Sequence, residues 1–394
     1  MSGLKIIKSG LLSTIQDGGR LGYQQYGVPV SGVMDFYAYR LANYLVGNAE
    51  EDAVIEVTMM GFAAEFLQDT VIAVTGGDLT PTLNGRPIGM WETVFVVPGD
   101  KLAFQRVKTG CRCYVAIAGG IAVPKVMGSR STYLRGGFGG HEGRALRNGD
   151  ELKIGKRKNK IEMLRDRSLA DQAMEYPSAI ILRVVPGPQE EAFTNEGIRD
   201  FYSGVYKVTM DSDRMGFRLE GKKITHRNKS EIISDGVAMG AIQVPGQGQP
   251  ILMMADRQTS GGYPKIGNVV TSDLPKLAQA KPGDTLRFQK ITVEEAEEAF
   301  GRMEKKLNQM KKTLSNGKNM LNPMEEKPDW NGDVKEEKPV NHKKEPPKLK
   351  EDLSSREKPT PEKNKVPLKP GQRKFIVRIN EKEYTVLLEN REKE

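Results

Sequence analysis

Cysteine and histidine are almost missing from this 394-residue chain: two of the first, Cys111 and Cys113, and three of the second. The two thiols lie in the apolar run CRCYVAIAG and read as one face of a strand, buried and reduced, as expected in a cytoplasmic protein. A metal site would need more ligands, and only His141, His226 and His342 are on hand; none is expected. No stretch approaches 18 apolar residues, which removes a membrane-spanning helix. The N-terminus has no apolar core of the kind a signal peptide needs. Recognisable active-site strings are absent too. There is no G-x-x-x-x-G-K-[ST], no G-x-G-x-x-G opening a helix, no G-x-S-x-G and no H-E-x-x-H. Ala-Met-Lys-Met is also missing, so no covalent biotin is expected on this chain.

Charge is scarce where it would matter for nucleic acid. The net charge is +9, but residues 301–374 carry 20 Lys and Arg against 12 Asp and Glu. Residues 1–300 carry 36 against 34. The folded part is close to neutral and the excess belongs to a tail. With no basic face and no recognised motif, nucleic-acid binding is not expected.

What is present is short β-rich runs ended by glycine, such as LKIIKSG and TVIAVTGG. A Gly-Asp turn leading into an alternating strand recurs at 98–104, 148–154 and 282–288. The recurrence predicts two related β modules, at 1–155 and 179–300, with a charged connection at 156–178. One helix is predicted from Asp35 to about Val46, with Asp35 as N-cap and Gly47 as the stop. A second is capped by Thr292 and ends at 301–315. Residues 316–372 are rich in Lys, Glu, Pro and Asn and nearly empty of aliphatic side chains, which predicts a disordered linker. Residues 373–394 read as a β-hairpin, FIVRI and YTVLL around Asn380; alone, a hairpin is marginal in water.

Three clusters carry candidate chemistry. TIQDGGRLGYQQYGVPVSGVMD at 14–35 gathers Asp17, Arg20 and Asp35 in a glycine-rich loop able to hold a small polar carbonyl or carboxylate. DSDRMGFRL at 211–219 places Arg214 and Arg218 four apart, an arrangement that suits an anion. QVPGQGQPILMMADRQTSGGYP at 243–264 alternates turn residues with one apolar run and offers Gln243, Gln249, Asp256, Arg257 and Thr259. A fourth stretch, GSRSTYLRGGFGGHEGRAL, has amides that could cradle an anion and carries His141, a candidate acid or base.

Read in order, these strings with LANYLVGN, IEVT, AVTGGD, AIAGGI and SDLPKLAQAKPGD resemble the allophanate hydrolase subunit 2 family. That family includes KipA, the C subunit of 5-oxoprolinase, and the matching region of urea carboxylase. The resemblance spans about residues 4–300. It implies a mainly β fold with two cyclophilin-like barrels. It implies two partners, a KipI-like B subunit, and with it a LamB/YcsF-like A subunit. It implies ATP, with magnesium, consumed by the complex in opening 5-oxoproline to glutamate. On this reading Asp17, Asp35 and Asp256 are catalytic or orienting carboxylates. Arg214 and Arg218 bind anions, Gln243, Gln249 and Thr259 bind substrate, and Arg20 and Arg257 brace the carboxylates. Two further readings of the resemblance are a biotin-dependent urea or amide carboxyltransferase and a KipA-type protein that binds a kinase inhibitor. The family usually has Q-D-L-G-R where this chain has Gln16-Asp17-Gly18-Gly19-Arg20, a departure expected to loosen one packing contact. The terminal hairpin resembles the opening strands of biotin carboxyl carrier proteins. That implies a docking element, or the remnant of a fusion, with a biotin carrier as a further partner.

Overall fold

A computed structural model describes residues 3–315, 372–379 and 382–389. The chain divides into two compact units, Met1–Glu326 and Lys327–Glu394.

The first module is two sheets laid face to face. One has six strands in the order Glu151–Leu152, Leu4–Ser9, Phe62–Phe66, Lys101–Phe104, Pro81–Leu83 and Arg86–Pro87. The other has five: Leu12–Gln16, Val54–Thr58, Arg112–Ile117, Thr70–Gly76 and Thr93–Val96. Ile6, Ile15, Ile55, Phe66, Val74 and Val115 are among the side chains that fill the space between them. The strands Thr70–Gly76 and Arg112–Ile117 are buried at every position. This explains why TVIAVTG and RCYVAI read as continuous apolar runs rather than alternating ones: both of their faces are covered. Cys113 enters the core between the sheets, and Cys111, just before the strand, turns its Sγ toward the carbonyl of Ala280 at 3.3 Å. Both thiols are free, and burial pushes their pKa values up.

The outer face of the five-stranded sheet is covered by helix α1 (Phe36–Leu45). It starts where the sequence predicts: the Asp35 carboxylate accepts from the Ala38 N–H at 3.0 Å, and Gly47 beyond the helix has φ of 68°. Eight of its ten residues are buried, because it is packed on more than one side. The charged connection at 156–178 is no loose tether. Arg167 donates to the carbonyl of Leu45 at 3.2 Å, at the end of the helix where the dipole favours a cation. Tyr37 donates to the carbonyl of Gln172 at 2.9 Å, and Tyr176 reaches the N-cap at the other end. The segment is a strap holding both ends of α1.

The second module is a closed seven-stranded barrel. Its order is Ala179–Pro186, Lys265–Val269, Ala241–Gln243, Ile251–Met253, Gly216–Glu220, Tyr206–Val208 and Thr285–Lys290. Neighbours are antiparallel except at the closure, where Ala179–Pro186 runs parallel to Thr285–Lys290 in register Leu182↔Phe288. Leu182, Val184, Phe217, Ile242, Leu252 and Leu286 belong to its core. Helix α2 (Asn195–Ser203) adds Phe201, stacked on Phe288 with ring centroids 4.5 Å apart. The short α3 (Leu274–Ala278) delivers Gln279 to the junction with the first module.

The last helix of this unit, α4 (Val293–Ser315), opens with a capping box: Thr292 Oγ1 accepts from the Glu295 N–H, and the Glu295 carboxylate accepts from the Thr292 N–H. Its buried residues Ala299, Met303, Leu307, Met310 and Leu314 form one stripe. α4 returns to α1, where Glu304 pairs with Arg40 and Lys311 with Glu50 at 3.0 Å. In the other unit, Gln372–Ile379 and Lys382–Glu389 pair antiparallel, Phe375 opposite Val386. The predicted linker, apart from Gln372, lies outside the described residues.

Candidate functional site

The first and second modules meet over a chain of buried polar groups. At its centre is Arg214, just ahead of the barrel strand Gly216–Glu220. Its Nε and Nη2 grip Asp256 at 3.0 and 3.1 Å, a two-pronged ion pair inside the barrel module. Its Nη1 pairs with Glu56, on a strand of the first module, and Nη2 also donates to the carbonyl of Gly32 at 2.5 Å. Burial opposes the charge of Arg214, but Asp256 and Glu56 outweigh it and drive its pKa up. Glu56 Oε2 accepts from the Met34 N–H at 2.9 Å and the Tyr114 hydroxyl at 3.0 Å. Tyr114 accepts from the Asp35 N–H at 2.8 Å. Asp35 Oδ2 in turn accepts from Tyr176 at 2.8 Å and Gln279 at 2.9 Å. Gln279 Oε1 receives the N–H groups of Cys111 and Arg112 at 3.0 and 2.9 Å. Burial raises the Asp35 carboxyl to about 6, although its three donors pull the other way.

A second cluster gathers around Asp17. The hydroxyls of Ser129 and Ser131, both at 2.6 Å, and the N–H groups of Gly19 at 2.9 Å and Arg130 at 2.5 Å all donate to its carboxylate. Arg20, 1% exposed, donates to the carbonyl of Ser131 at 2.5 Å and lies over the Phe138 ring, 4.8 Å from its centroid. Its Nε and Nη1 have no hydrogen-bond partner among the described residues. Burial lowers its pKa. Here glycine is obligatory: a Cβ on Gly32, at φ 87°, would lie 3.0 Å from the backbone of Gly19.

The third cluster gathers where the loops 235–237 and 254–264 fold against the barrel strands Ala241–Gln243 and Ile251–Met253. Gln258 donates to Gln243 Oε1 at 3.2 Å, and Gln243 donates to the carbonyl of Tyr263 at 3.4 Å. Arg257 donates to the carbonyls of Val237 at 2.9 Å and Met254 at 3.3 Å. Lys265, 4% exposed, pairs with Asp235 at 2.6 Å. The short strands Asp235–Gly236 and Ser260–Gly261 pair and draw these loops together. Thr259, half-buried, presents its carbonyl to the Val237 N–H at 3.0 Å.

Several expectations need correction. Arg218 does not join Arg214: it is exposed on the strand Gly216–Glu220, while Arg214 precedes the strand and turns inward. Gln249 is tied to the backbone of Gly221, its amide closing a two-way pair at 2.9 and 3.0 Å. Arg20 and Arg257 brace carbonyls rather than carboxylates, and among the described residues neither forms an ion pair. Gly18 loosens no contact, since a Cβ there would meet nothing within 4 Å. His141 approaches Asp150, at 3.5 Å, and not the three clusters above. Asp17 and Asp35 sit in separate hydrogen-bonded settings, and Asp256 is joined to Asp35 only through Arg214, Glu56 and Tyr114. Glu56, Tyr114, Tyr176, Lys265 and Gln279 went unnoticed as site residues. Glu56 had a readable signal, a charge inside an apolar strand, VIEVT.

The barrel, the paired sheets and the buried junction between them define a two-part β protein whose polar groups converge at the seam. Residues 26–290 match the family model described as carboxyltransferase domain, subdomain A and B, and the chain belongs to this family. It is 38% identical over 293 residues to the C subunit of 5-oxoprolinase from Escherichia coli, covering 74% of this chain and 93% of that one. The corresponding 5-oxoprolinase C subunit of Haemophilus influenzae is 35% identical over 304 residues, covering 77% and 96%. Among solved structures, the K. lactis urea amidolyase superposes with a TM-score of 0.74 at 31% identity, over 78% of this chain and 20% of that one.

Proposed function

We propose that this chain is the C subunit of an ATP-dependent 5-oxoprolinase. With KipI-like and LamB/YcsF-like partner subunits it opens the lactam of 5-oxoproline to glutamate. The observation that carries this is the match to two proteins of that name over nearly their whole length. The loops that carry Gln243 and Gln258 supply the chemistry. Gln258 Oε1 and the Thr259 hydroxyl make no hydrogen bond among the described residues and can meet the lactam N–H and carbonyl. The Arg214–Asp256–Glu56 junction holds the loop that carries them, since Asp256 and Arg257 are adjacent. Asp17, Asp35 and Asp256 each accept hydrogen bonds from protein donors. Magnesium–ATP belongs to the complex, and no step is routed through it here. Donors fixed in advance around the lactam carbonyl are worth most when charge develops on its oxygen. The test is glutamate formation from 5-oxoproline and ATP by this chain purified together with its two partners. Activity with all three and none without this chain is expected; full activity from the two partners alone refutes the reading.

A second reading is carboxyl transfer to urea or another amide, favoured by the family description and by the likeness to urea amidolyase. It requires a biotin carrier, and avidin would then abolish activity. A lactam-opening complex is indifferent to avidin.

A further inference from the structure

Among the described residues, Arg257 is a buried cation with no anion. Only 8% of it is exposed. Two of its nitrogens are committed, Nε to the carbonyl of Val237 and Nη1 to that of Met254. Nη2 has no acceptor among the described residues. The carboxylates that could have served are taken: Asp256, next in the chain, is held on both oxygens by Arg214, and Asp235, on the adjoining loop, is held by Lys265 and by Gln189 at 3.2 Å. Burial alone pulls Arg257 down to about 10, with no nearby charge pulling it back. Nη2 is not among the fully buried atoms that lack a partner, so it touches solvent and is open to an arriving anion. The two carbonyls fix the plane of the guanidinium and so the direction of Nη2, on the residue next to Gln258, whose amide donates to Gln243. Gly261 is what lets that pair lie close: a Cβ there would fall 2.6 Å from Gln243 Nε2 and 3.3 Å from Val237.

We propose that Arg257 takes an oxyanion beside the barrel strands Ala241–Gln243 and Ile251–Met253, the carboxylate or phosphoryl oxygens of a small ligand, with Gln243 and Gln258 aligning the amide part of that ligand. Which oxyanion it takes rests on the lactamase reading above: the carboxylate of 5-oxoproline itself, or a phosphoryl group delivered from ATP. A planar guanidinium suits either.

The test is calorimetry on the complex of the three subunits, with 5-oxoproline, its neutral carboxamide and magnesium–ATP as probes. Wild type is compared with Arg257→Met and Arg257→Lys. Loss of the acid-over-amide preference in Arg257→Met, on the order of 100-fold from one charged contact, with partial recovery in Arg257→Lys, supports the proposal with the carboxylate as source. An unchanged preference with weakened ATP supports it with the phosphoryl as source. Neither change, in variants with native circular dichroism and an intact complex, overturns it. Inorganic phosphate titrated into the full-length chain separates this from the functional reading. If wild type ignores 5-oxoproline, that reading fails, and Arg257 still stands if phosphate binds wild type and not Arg257→Met. Equal phosphate binding, or none, in both would then remove Arg257 as well.

Discussion

Arg214 and Arg257 belong to the same barrel and are both almost out of solvent, yet their surroundings are opposite. Arg214 has two carboxylates and a carbonyl, and every edge of its guanidinium is used. Arg257 has two carbonyls and, among the described residues, no carboxylate. Removing a partner from a saturated buried ion pair strands the charges left behind, so such groups hold a structure together. An unsaturated one has capacity left over for something that arrives. Burial by itself does not say which kind an arginine is; the inventory of its partners does.

The largest test of this contrast is Arg214→Ala. Glu56 and Asp256 would both be left buried and unpaired, and a loss of about 3–5 kcal/mol is expected from the urea midpoint. A loss below about 1 kcal/mol would mean that the junction is not structural. Next comes Asp35, at the far end of the same network. Its folded pKa of about 6 lies above the ordinary 3.8, so the folded state binds the extra proton. The stability this contributes is fully present below about pH 4 and is lost as pH rises through about 6. The two-unit difference corresponds to about 3 kcal/mol. Wild type should therefore lose about that much relative to Asp35→Asn between pH 4 and pH 7, read from urea unfolding at each pH. A constant gap between the two proteins would show that Asp35 does not titrate there. The smallest effect belongs to Arg218→Ala. This arginine shares Arg214's motif but not its burial, and a change within about 0.5 kcal/mol is expected, with the activity of the complex kept. A large effect would restore the paired-arginine anion site that the structure takes apart.

Local rules carried much of the architecture. Asp35 and Gly47 marked the ends of α1 because capping depends on neighbouring residues alone. Thr292 marked the start of α4 for the same reason. TVIAVTG and RCYVAI were legible as strands because an apolar run needs only burial. The pairing of Asp17 with Ser129 and Ser131 was not legible, because its partners are more than 110 residues away. Arg214 and Arg218 misled through spacing: the four-residue interval says they share a face only if both lie on one regular element, and Arg214 lies outside the strand. Gln279 looked like part of a plain turn sequence, LAQAKPGD, and its role appears only once Cys111, Arg112 and Asp35 surround it. What escaped the sequence was mostly the identity of partners, which tertiary packing decides.

The return of α4 onto α1 makes the covalent link between the modules redundant. Arg40 with Glu304, Lys311 with Glu50, Gln279 with Asp35 and the Arg214 junction fasten the two halves at separate points. A nick at the exposed lysines near position 158 would leave two fragments still bound to each other. The same halves produced as separate polypeptides should complement one another, and co-purification of the pair is the measurement. The chain behaves as a belt already buckled, and its continuity near that point serves assembly more than it serves the finished molecule.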